Sequence, residues 1–209
     1  MNKKRVFIEA RSGAYVDLFE SLGCEIVYAH ESADFVCFTG GEDVSPYLYR
    51  DYKHRLTHNN VDRDVSEKEL FEKVKALNKP MVGICRGAQF LNVMSGGRMY
   101  QHVEEHGRSH PIRDVKTNKT ILVTSTHHQM MMPGKFRELV AISNLHGRRE
   151  WFTRETPCQD YAEVDYEVVW YSHTKSLCFQ PHPEMYRGLP LYHGMYDYFK
   201  ELLERYEFL

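Results

Sequence analysis

Short runs of β-branched and aromatic residues recur along the chain and predict β-strands. They stand at residues 5–8, 25–28, 35–38, 81–84, 120–124, 138–142, 166–170 and 176–179. Segments with helical periodicity separate the early runs, which is typical of parallel β-α-β units, whereas the second half of the chain is rich in strands. The pattern therefore predicts an α/β fold with a mixed sheet and flanking helices.

Two helices are predicted between the early strands and a third at the C-terminus. Apolar residues recur at helical spacing within 15–22, and Ser12 stands where it can cap this first helix. Ser66 and Glu69 form a Ser-x-x-Glu capping box, which predicts that the second helix begins at this point. The third helix carries an apolar stripe from 191 to 206. We expect that stripe to pack on the domain's own sheet, with the interface of a homodimer as the alternative.

Composition limits the class of protein. The 209 residues suit one α/β domain, and we expect residues 1–209 to form it. The formal net charge is −2, so the chain lacks the basic excess typical of proteins that bind nucleic acid or anionic membranes. No run approaches the ~20 apolar residues of a membrane-spanning helix, and no signal-peptide core follows the N-terminus. We expect a cytoplasmic protein that binds neither nucleic acid nor membrane.

Cysteine and histidine spacing gives no sign of a disulfide framework or a metal site. The five cysteines are widely spaced and include no Cys-x-x-Cys pair, so we expect free thiols in a reducing compartment. His102, His106 and His110 recur at a spacing of four, but Gly107 and Pro111 argue against a helix that would align their imidazoles. We therefore expect neither a metal ion nor an organic cofactor.

Cys85 differs from the other four cysteines in its neighbours. It lies between a predicted strand and a predicted helix, in the sequence Gly83-Ile84-Cys85-Arg86-Gly87. This pattern is typical of a nucleophile elbow, in which two glycines let a reactive residue occupy a tight turn. The N-terminus of the following helix would favour the thiolate over the thiol. The pentapeptide alone fits a buried structural cysteine equally well.

His182 stands in a context that suits a proton-transfer partner for a thiolate. It follows a predicted strand in the sequence Pro-His182-Pro-Glu184, where two prolines stiffen the turn. Glu184 could accept a hydrogen bond from the imidazole and fix its tautomer. Without a reactive cysteine elsewhere, the same histidine would be interpreted as a surface-loop residue.

A glycine pair, Gly40 and Gly41, follows the third predicted strand. Backbone N–H groups at such a strand end could face an anion, as the donors of an oxyanion hole do. Taken alone, the pair would be an ordinary turn.

Together these motifs resemble the class I glutamine amidotransferase superfamily. Within it, the chain is most similar to the γ-glutamyl hydrolase-like branch of peptidase C26 type, which includes γ-glutamyl-γ-aminobutyrate hydrolase. The resemblance runs from about residue 34 to 185 in matching order. Besides the motifs above, it rests on Gly-Gly-Glu-Asp43-Val-Ser-Pro46, Arg63-Asp64-Val-Ser-Glu67, Leu91-Asn-Val-Met-Ser-Gly-Gly97 and Thr124-Ser-Thr-His127-His128-Gln129. It implies a three-layer, flavodoxin-like fold around a mixed, mostly parallel central sheet.

The resemblance also implies a role for each residue of the site. Cys85 would be the nucleophile, His182 the general base and acid, and Glu184 the residue that orients the histidine. The backbone N–H groups of Gly41 and Arg86 would form the oxyanion hole. The implied substrate-binding residues are Gln89, His127, His128 and Gln129.

The implied reaction is hydrolysis of glutamine or a γ-glutamyl amide through a glutamyl thioester on Cys85. One alternative is a glutaminase subunit that passes ammonia to a separate synthetase, and another is a non-catalytic relative used for binding. Two features depart from the family pattern. His102 stands where relatives usually carry an acidic residue, and the segment 144–165 matches only loosely. These departures leave the amine half of the substrate unassigned.

Overall fold

The computed structural model describes residues 3–145, 147–153, 156–160, 164–186 and 190–209. Its strands are, in chain order, β1 (Arg5–Ile8), β2 (Glu25–Val27), β3 (Phe35–Phe38), β4 (Met81–Ile84), β5 (Arg98–Tyr100), β6 (His102–Val103), β7 (His110–Asp114), β8 (Thr120–Val123), β9 (Met130–Met132), β10 (Glu138–Ser143), β11 (Arg149–Phe152), β12 (Pro157–Asp160), β13 (Asp165–Tyr171) and β14 (Ser176–Phe179). Its α-helices are α1 (Gly13–Ser21), α2 (Val61–Ala76), α3 (Arg86–Met94) and α4 (His193–Arg205). Short 3-10 helices lie at Pro46–Tyr49, Pro183–Tyr186 and Pro190–Tyr192.

The central sheet has nine strands in the order β2-β1-β3-β4-β14-β13-β10-β7-β8. The strands from β2 to β14 run parallel, and antiparallel pairing continues the sheet from β14 to β8. All eight predicted strands lie in this sheet, which confirms the predicted α/β class. Because β3, β4 and β14 are parallel neighbours, their carboxyl ends meet at one edge of the sheet.

Two smaller sheets, β12-β11-β6 and β5-β9, lie outside the central one. The hydrophobic pattern predicts none of these five strands, nor β7 in the central sheet. The strands of the two small sheets are two to four residues long, so they are too short for an alternating pattern to stand out. His102 and His110, discounted above as members of a metal-binding helix, lie in strands β6 and β7.

The second helix begins earlier than the capping box predicts. α2 starts at Val61, and the side-chain oxygen of Asn60 accepts the backbone N–H of Arg63 at 3.2 Å. Ser66 lies within the helix, where its hydroxyl donates to the backbone carbonyl of Asp62 at 3.0 Å. The predicted start at Ser66 is wrong because asparagine is as good an N-cap as serine, and Asn60 satisfies the first free N–H groups upstream.

Helices cover the central sheet on both faces, as a three-layer fold requires. Phe19 of α1 and Phe199 of α4 lie in one buried cluster, and Phe71 of α2 and Phe90 of α3 lie in another. Burial of each such side chain stabilises the fold by about 1.5–3 kcal/mol. Met195, Phe199 and Leu202 are fully buried, so this part of the C-terminal stripe packs on the chain as expected, whereas Leu191 at its start is 66% exposed. Among the described residues, no helix is long and apolar enough to cross a bilayer.

Candidate active site

Cys85 occupies the turn between β4 and α3 with a backbone conformation that is unusual for a residue with a side chain. Its φ is 53° and its ψ is −110°, a strained combination of the kind that tertiary structure must enforce. Its N–H donates to the carbonyl of Phe179 at 3.0 Å, and its carbonyl accepts the N–H of Gln89 at 3.1 Å, which starts the helix. The turn has the strand–turn–helix form of a nucleophile elbow.

The two glycines of the elbow are required by close backbone packing. A Cβ on Gly83 would lie 2.3 Å from the carbonyl oxygen of Gly87. A Cβ on Gly87 would lie 2.1 Å from the carbonyl oxygen of Phe38 in the neighbouring strand. Both distances are far inside van der Waals contact, so the elbow can be this tight only with glycine at both positions.

His182 and Glu184 lie beyond the end of β14, directly beside the elbow. The Nδ1 atom of His182 is 2.6 Å from Oε1 of Glu184, and the backbone N–H of His182 donates to Oγ1 of Thr124 at 2.9 Å. The side chains of His182 and Cys85 both lie against Gly40. A Cβ on this glycine would be 3.3 Å from Cε1 of His182 and 3.7 Å from Cβ of Cys85. Parallel pairing of β14 with β4 thus brings together residues that are 97 positions apart in the sequence.

The charge state of His182 follows from this arrangement. Burial lowers the pKa of His182, but the negative charges of Cys85 and Glu184 raise it more, so that it reaches about 10. The imidazole is therefore protonated at neutral pH when it faces the thiolate. A histidine that stays charged beside a sulfur and a carboxylate can later give its proton to a departing amine.

The glycine pair after β3 forms another side of the site. The N–H of Gly40 donates to Oη of Tyr15 at 2.9 Å, so this group is already engaged by the protein. Gly41 has a φ of 148°, and a Cβ on it would lie 2.0 Å from Nη1 of Arg63. Glycine is therefore required at position 41 both by conformation and by the neighbouring guanidinium.

A cleft of about 220 Å³ opens over the elbow. Six of the sequence-predicted site residues are among those that line it, and they are Gly41, Cys85, Arg86, Gln89, His127 and His128. The wall also includes residues to which the sequence analysis gives no role, which are Glu42, Asp43, His58 and Thr126. Glu42, Asp43 and Thr126 belong to motifs that carry the family resemblance, whereas no motif marks His58.

Gln129 lies behind the cleft wall instead of lining it. Its side-chain amide donates to Oγ1 of Thr57 at 3.2 Å. Its backbone carbonyl accepts the Nε2 amide of Gln89 at 3.1 Å and lies 2.9 Å from Nδ1 of His127. Gln129 therefore supports Gln89 and His127, two residues of the wall, from behind.

The two neighbouring histidines of the wall differ in charge. Burial lowers the pKa of His127 to about 3, so this imidazole is neutral at physiological pH. A hydrogen bond to Asp43 raises the pKa of His128, whose Nε2 atom is 3.2 Å from the Asp43 carboxylate. The wall thus combines a neutral imidazole deep in the cleft with a carboxylate–histidine pair at its mouth. Within the described residues, no group of three or more His, Cys, Asp or Glu side chains is arranged to hold a metal ion.

The architecture is that of the class I glutamine amidotransferases. The solved structure of a glutamine amidotransferase from Thermotoga maritima matches the chain with a TM-score of 0.60 at 15% sequence identity. The match covers 99% of this chain and 86% of the other. At that identity the likeness shows the fold, and it confirms the fold implied by the sequence motifs.

The chain belongs to the Peptidase C26 family, whose sequence model matches residues 20–148. It is 29% identical over 150 residues to the glutamine amidotransferase-like protein YvdE of Lactococcus lactis, a match that covers 56% of this chain and 64% of YvdE. It is 27% identical over 127 residues to the carbamoyl phosphate synthase small chain of Aquifex aeolicus, a match that covers 60% of this chain and 30% of the other. The chain thus spans less than two thirds of the length of either relative.

Proposed function

We propose that this protein is a cysteine-dependent hydrolase that cleaves the side-chain amide of glutamine or a γ-glutamyl amide. The observation that carries the proposal is the strained elbow at Cys85, which lines a cleft and lies beside the hydrogen-bonded pair of His182 and Glu184. Membership of the Peptidase C26 family and similarity to a glutamine amidotransferase-like protein support the same class of reaction.

The first half of the reaction forms a glutamyl thioester. The Cys85 thiolate attacks the amide carbonyl carbon, a carbon–sulfur bond forms, and the carbonyl π electrons move to oxygen. The backbone N–H groups of Gly41 and Arg86 stabilise the oxyanion, a contribution of about 3–4 kcal/mol for each well-placed donor. The oxyanion then reforms the carbonyl, and the carbon–nitrogen bond breaks as His182 donates its proton to the leaving nitrogen.

The second half releases glutamate. Neutral His182 removes a proton from water as the water oxygen attacks the thioester carbonyl, and the same two N–H groups hold the second oxyanion. When this intermediate collapses, the carbon–sulfur bond breaks and Cys85 leaves as a thiolate, which restores the ion pair with His182. Glu184 keeps the imidazole in one orientation through both steps, because its carboxylate is bonded to Nδ1.

The γ-glutamyl half of the substrate would occupy the wall beside the elbow. Gln89, His127 and His128 are proposed to contact it, with Gln129 supporting the first two from behind. The pair formed by Asp43 and His128 stands at the mouth of the cleft, where the charged α-amino and α-carboxyl groups of a glutamyl unit would need partners.

A second candidate is a glutaminase subunit that supplies ammonia to a synthetase. The observation in its favour is the similarity to a carbamoyl phosphate synthase small chain. The chemistry on Cys85 would be the same, and the difference lies in the leaving amine. In the second candidate ammonia would pass to a partner enzyme, whereas in the first the ammonia or substituted amine is released into solution.

The test is release of glutamate from glutamine and from γ-glutamyl amides with neutral, anionic and cationic amines. The purified wild type is compared with Cys85→Ala and with Cys24→Ala, a control that removes a buried thiol outside the cleft. We expect Cys24→Ala to keep its activity and Cys85→Ala to lose it. Full activity of Cys85→Ala would overturn the proposal. Glutamine turnover that rises only when a synthetase is added would favour the second candidate, and no turnover under any condition would favour a binding protein.

A further inference from the structure

A buried network of ion pairs lies behind the elbow and joins the two loops around it. On the α2 side, Nη1 of Arg63 donates to the carbonyl of Gly40 at 3.1 Å, and Nη2 donates to the carbonyl of Thr39 at 3.2 Å. The Nε atom of the same guanidinium donates to Glu67 at 2.8 Å, one helical turn further on. The loop that follows β3 and carries Gly40 and Gly41 is called the glycine loop below. The Arg63 side chain therefore holds two consecutive carbonyls of this loop and a carboxylate of its own helix.

The same carboxylate reaches the other loop. Glu67 also pairs with the guanidinium of Arg86, the residue that follows Cys85, and Asp64 pairs with Arg86 as well. Arg86 is 1% exposed, and Asp64 and Glu67 are fully buried. Burial and the charge of Arg63 lower the pKa of Arg86 to about 10, which still leaves it charged at neutral pH. Arg63, Glu67 and Arg86 thus form a continuous bridge from the glycine loop to the elbow.

We propose that this bridge is a positioning device that sets the separation and direction of the two oxyanion-hole N–H groups. The inference rests on the proposed function, and it assigns Arg63 and Glu67 a role that neither the catalytic trio nor the cleft wall provides. Neither residue would touch the substrate, because both act through the backbone of other residues.

The planarity of the peptide bond explains how Arg63 directs a donor that it does not contact. The carbonyl of Gly40 and the N–H of Gly41 belong to one trans peptide unit, so the two groups point in opposite directions. By holding the Gly40 carbonyl on the α2 side, Arg63 turns the Gly41 N–H away from α2 and toward the cleft. A misplacement of about 1 Å in a reacting or stabilising group can lower the rate about 100-fold, so the direction of this N–H group matters for stabilising the oxyanion.

Directional ion pairs suit this task better than apolar packing. A guanidinium offers five N–H donors in a rigid plane, so it can hold carbonyls and a carboxylate at fixed angles together. Hydrophobic contacts would exclude water but would not fix the rotation of a peptide plane. Gly41 agrees with this interpretation, because any side chain at that position would displace the Arg63 guanidinium.

The test uses variants of the full chain that alter the bridge and matched controls on the same helix. Arg63→Gln and Glu67→Gln each break the bridge. The double variant removes both partners of a bridge that either single variant has already broken. Lys68→Gln and Glu69→Gln are the controls, since each removes a charge of the same sign at an exposed position of α2. Arg63→Lys keeps the charge but not the planar fork, so it provides a folded variant if the glutamine variants unfold.

Three measurements separate positioning from a general structural role. The first is kcat and KM for amide hydrolysis, and the second is the rate of alkylation of Cys85 by iodoacetamide, which attacks at a saturated carbon and needs no oxyanion hole. The third is the affinity for 2-amino-4-cyanobutanoic acid, the nitrile analogue of glutamine, whose thioimidate adduct places a nitrogen in the hole. Thermal unfolding identifies variants that have lost the fold.

We expect kcat of Arg63→Gln and Glu67→Gln to fall about 100-fold with KM nearly unchanged, because the donors act mainly in the transition state. Nitrile affinity should fall with kcat, alkylation should stay within about twofold of the wild type, and the double variant should lose no more than either single variant. Parallel losses of alkylation and hydrolysis, or unchanged hydrolysis, would overturn the inference. If the wild type hydrolyses no amide, the proposed function fails. The positioning role is then tested by nitrile affinity alone, and equal adduct formation by the wild type and the folded variants would overturn it.

Discussion

The side chain of Asp114, the last residue of β7, binds two residues of α4 and allows a quantitative test of how this fold is stabilised. One carboxylate oxygen accepts hydrogen bonds from the backbone N–H groups of Lys116 and Thr117, and the other accepts from Oη of Tyr198 at 2.7 Å and Nη1 of Arg205 at 2.9 Å. Asp114 is fully buried. The perturbation is Asp114→Asn, which keeps the shape but removes the charge and one acceptor.

The size of the effect follows from the pKa of the carboxyl group. Burial alone would raise the pKa of Asp114, but hydrogen bonds from Thr117, Tyr198 and Arg205 lower it from 3.8 to about 2. At about 1.4 kcal/mol for each pKa unit, the ionised carboxylate contributes about 2 kcal/mol to the free energy of unfolding. Because the native pKa is below the unfolded one, this contribution is complete above about pH 4 and is lost as the pH falls to about 2.

The assay is urea unfolding followed by tryptophan fluorescence, at pH 7 and at several values between pH 5 and pH 2.5. Asp114→Asn should be about 2–3 kcal/mol less stable than the wild type at pH 7, and the difference should shrink as the pH falls. Asp197→Asn, an exposed position on α4, is the matched control and should change stability by less than about 0.5 kcal/mol. A loss of under 0.5 kcal/mol for Asp114→Asn, or one that does not vary with pH, would refute the reasoning.

Three further predictions concern the site itself. Glu184→Gln removes a charge that raises the pKa of His182, so a pH titration of the imidazole by NMR should give a lower pKa, and kcat should fall by about 10²–10⁴-fold. Gly87→Ala should lower the free energy of unfolding in urea by about 1–3 kcal/mol, because the new methyl group meets the Phe38 carbonyl. Gly107→Ala is the control and should be neutral, because its methyl group meets no other atom. Because the pKa of His182 is raised to about 10, its imidazole should stay protonated from pH 6 to 9 in an NMR titration of the wild type, and a midpoint near 6.5 would contradict this.

The elbow could be predicted from the sequence because its causes are local. A Cβ on Gly83 would meet the backbone of Gly87 within the turn, so this requirement for glycine is local, whereas Gly87 is required by the Phe38 carbonyl of the neighbouring strand. The strand before and the helix after also follow from short-range patterns. The approach of His182 has another origin, since it depends on β14 lying beside β4, and no local rule gives that order of strands. Only the resemblance to a family connects those two segments at the level of sequence.

The bridge behind the elbow could not be predicted, because the Ser66–Glu69 capping box predicts a start of α2 that is five residues too late. Asn60 and Ser66 are equally suitable N-caps, and the Ser-x-x-Glu pattern favours the wrong one. With the helix starting at Ser66, Arg63 falls outside it and its i,i+4 relation to Glu67 disappears. In the folded protein Glu67 is buried against Arg86, and Arg63 reaches the same carboxylate from the preceding turn of the longer helix. The bridge therefore depends on a helix boundary that capping preferences leave open.

The polar cluster formed by His54, His102 and Glu150 depends on contacts between distant segments. Glu150 of β11 lies 3.1 Å from Nε2 of His54, and the rings of His54 and His102 stack with their centroids 5.9 Å apart. The strands that hold His102 and Glu150 are two and four residues long, and His54 lies in a loop, so neither periodicity nor capping marks these residues. A compact turn therefore indicates the elbow in the sequence, whereas no local pattern indicates this cluster. The first depends mainly on local backbone geometry, and the second depends on which distant segments meet in the fold.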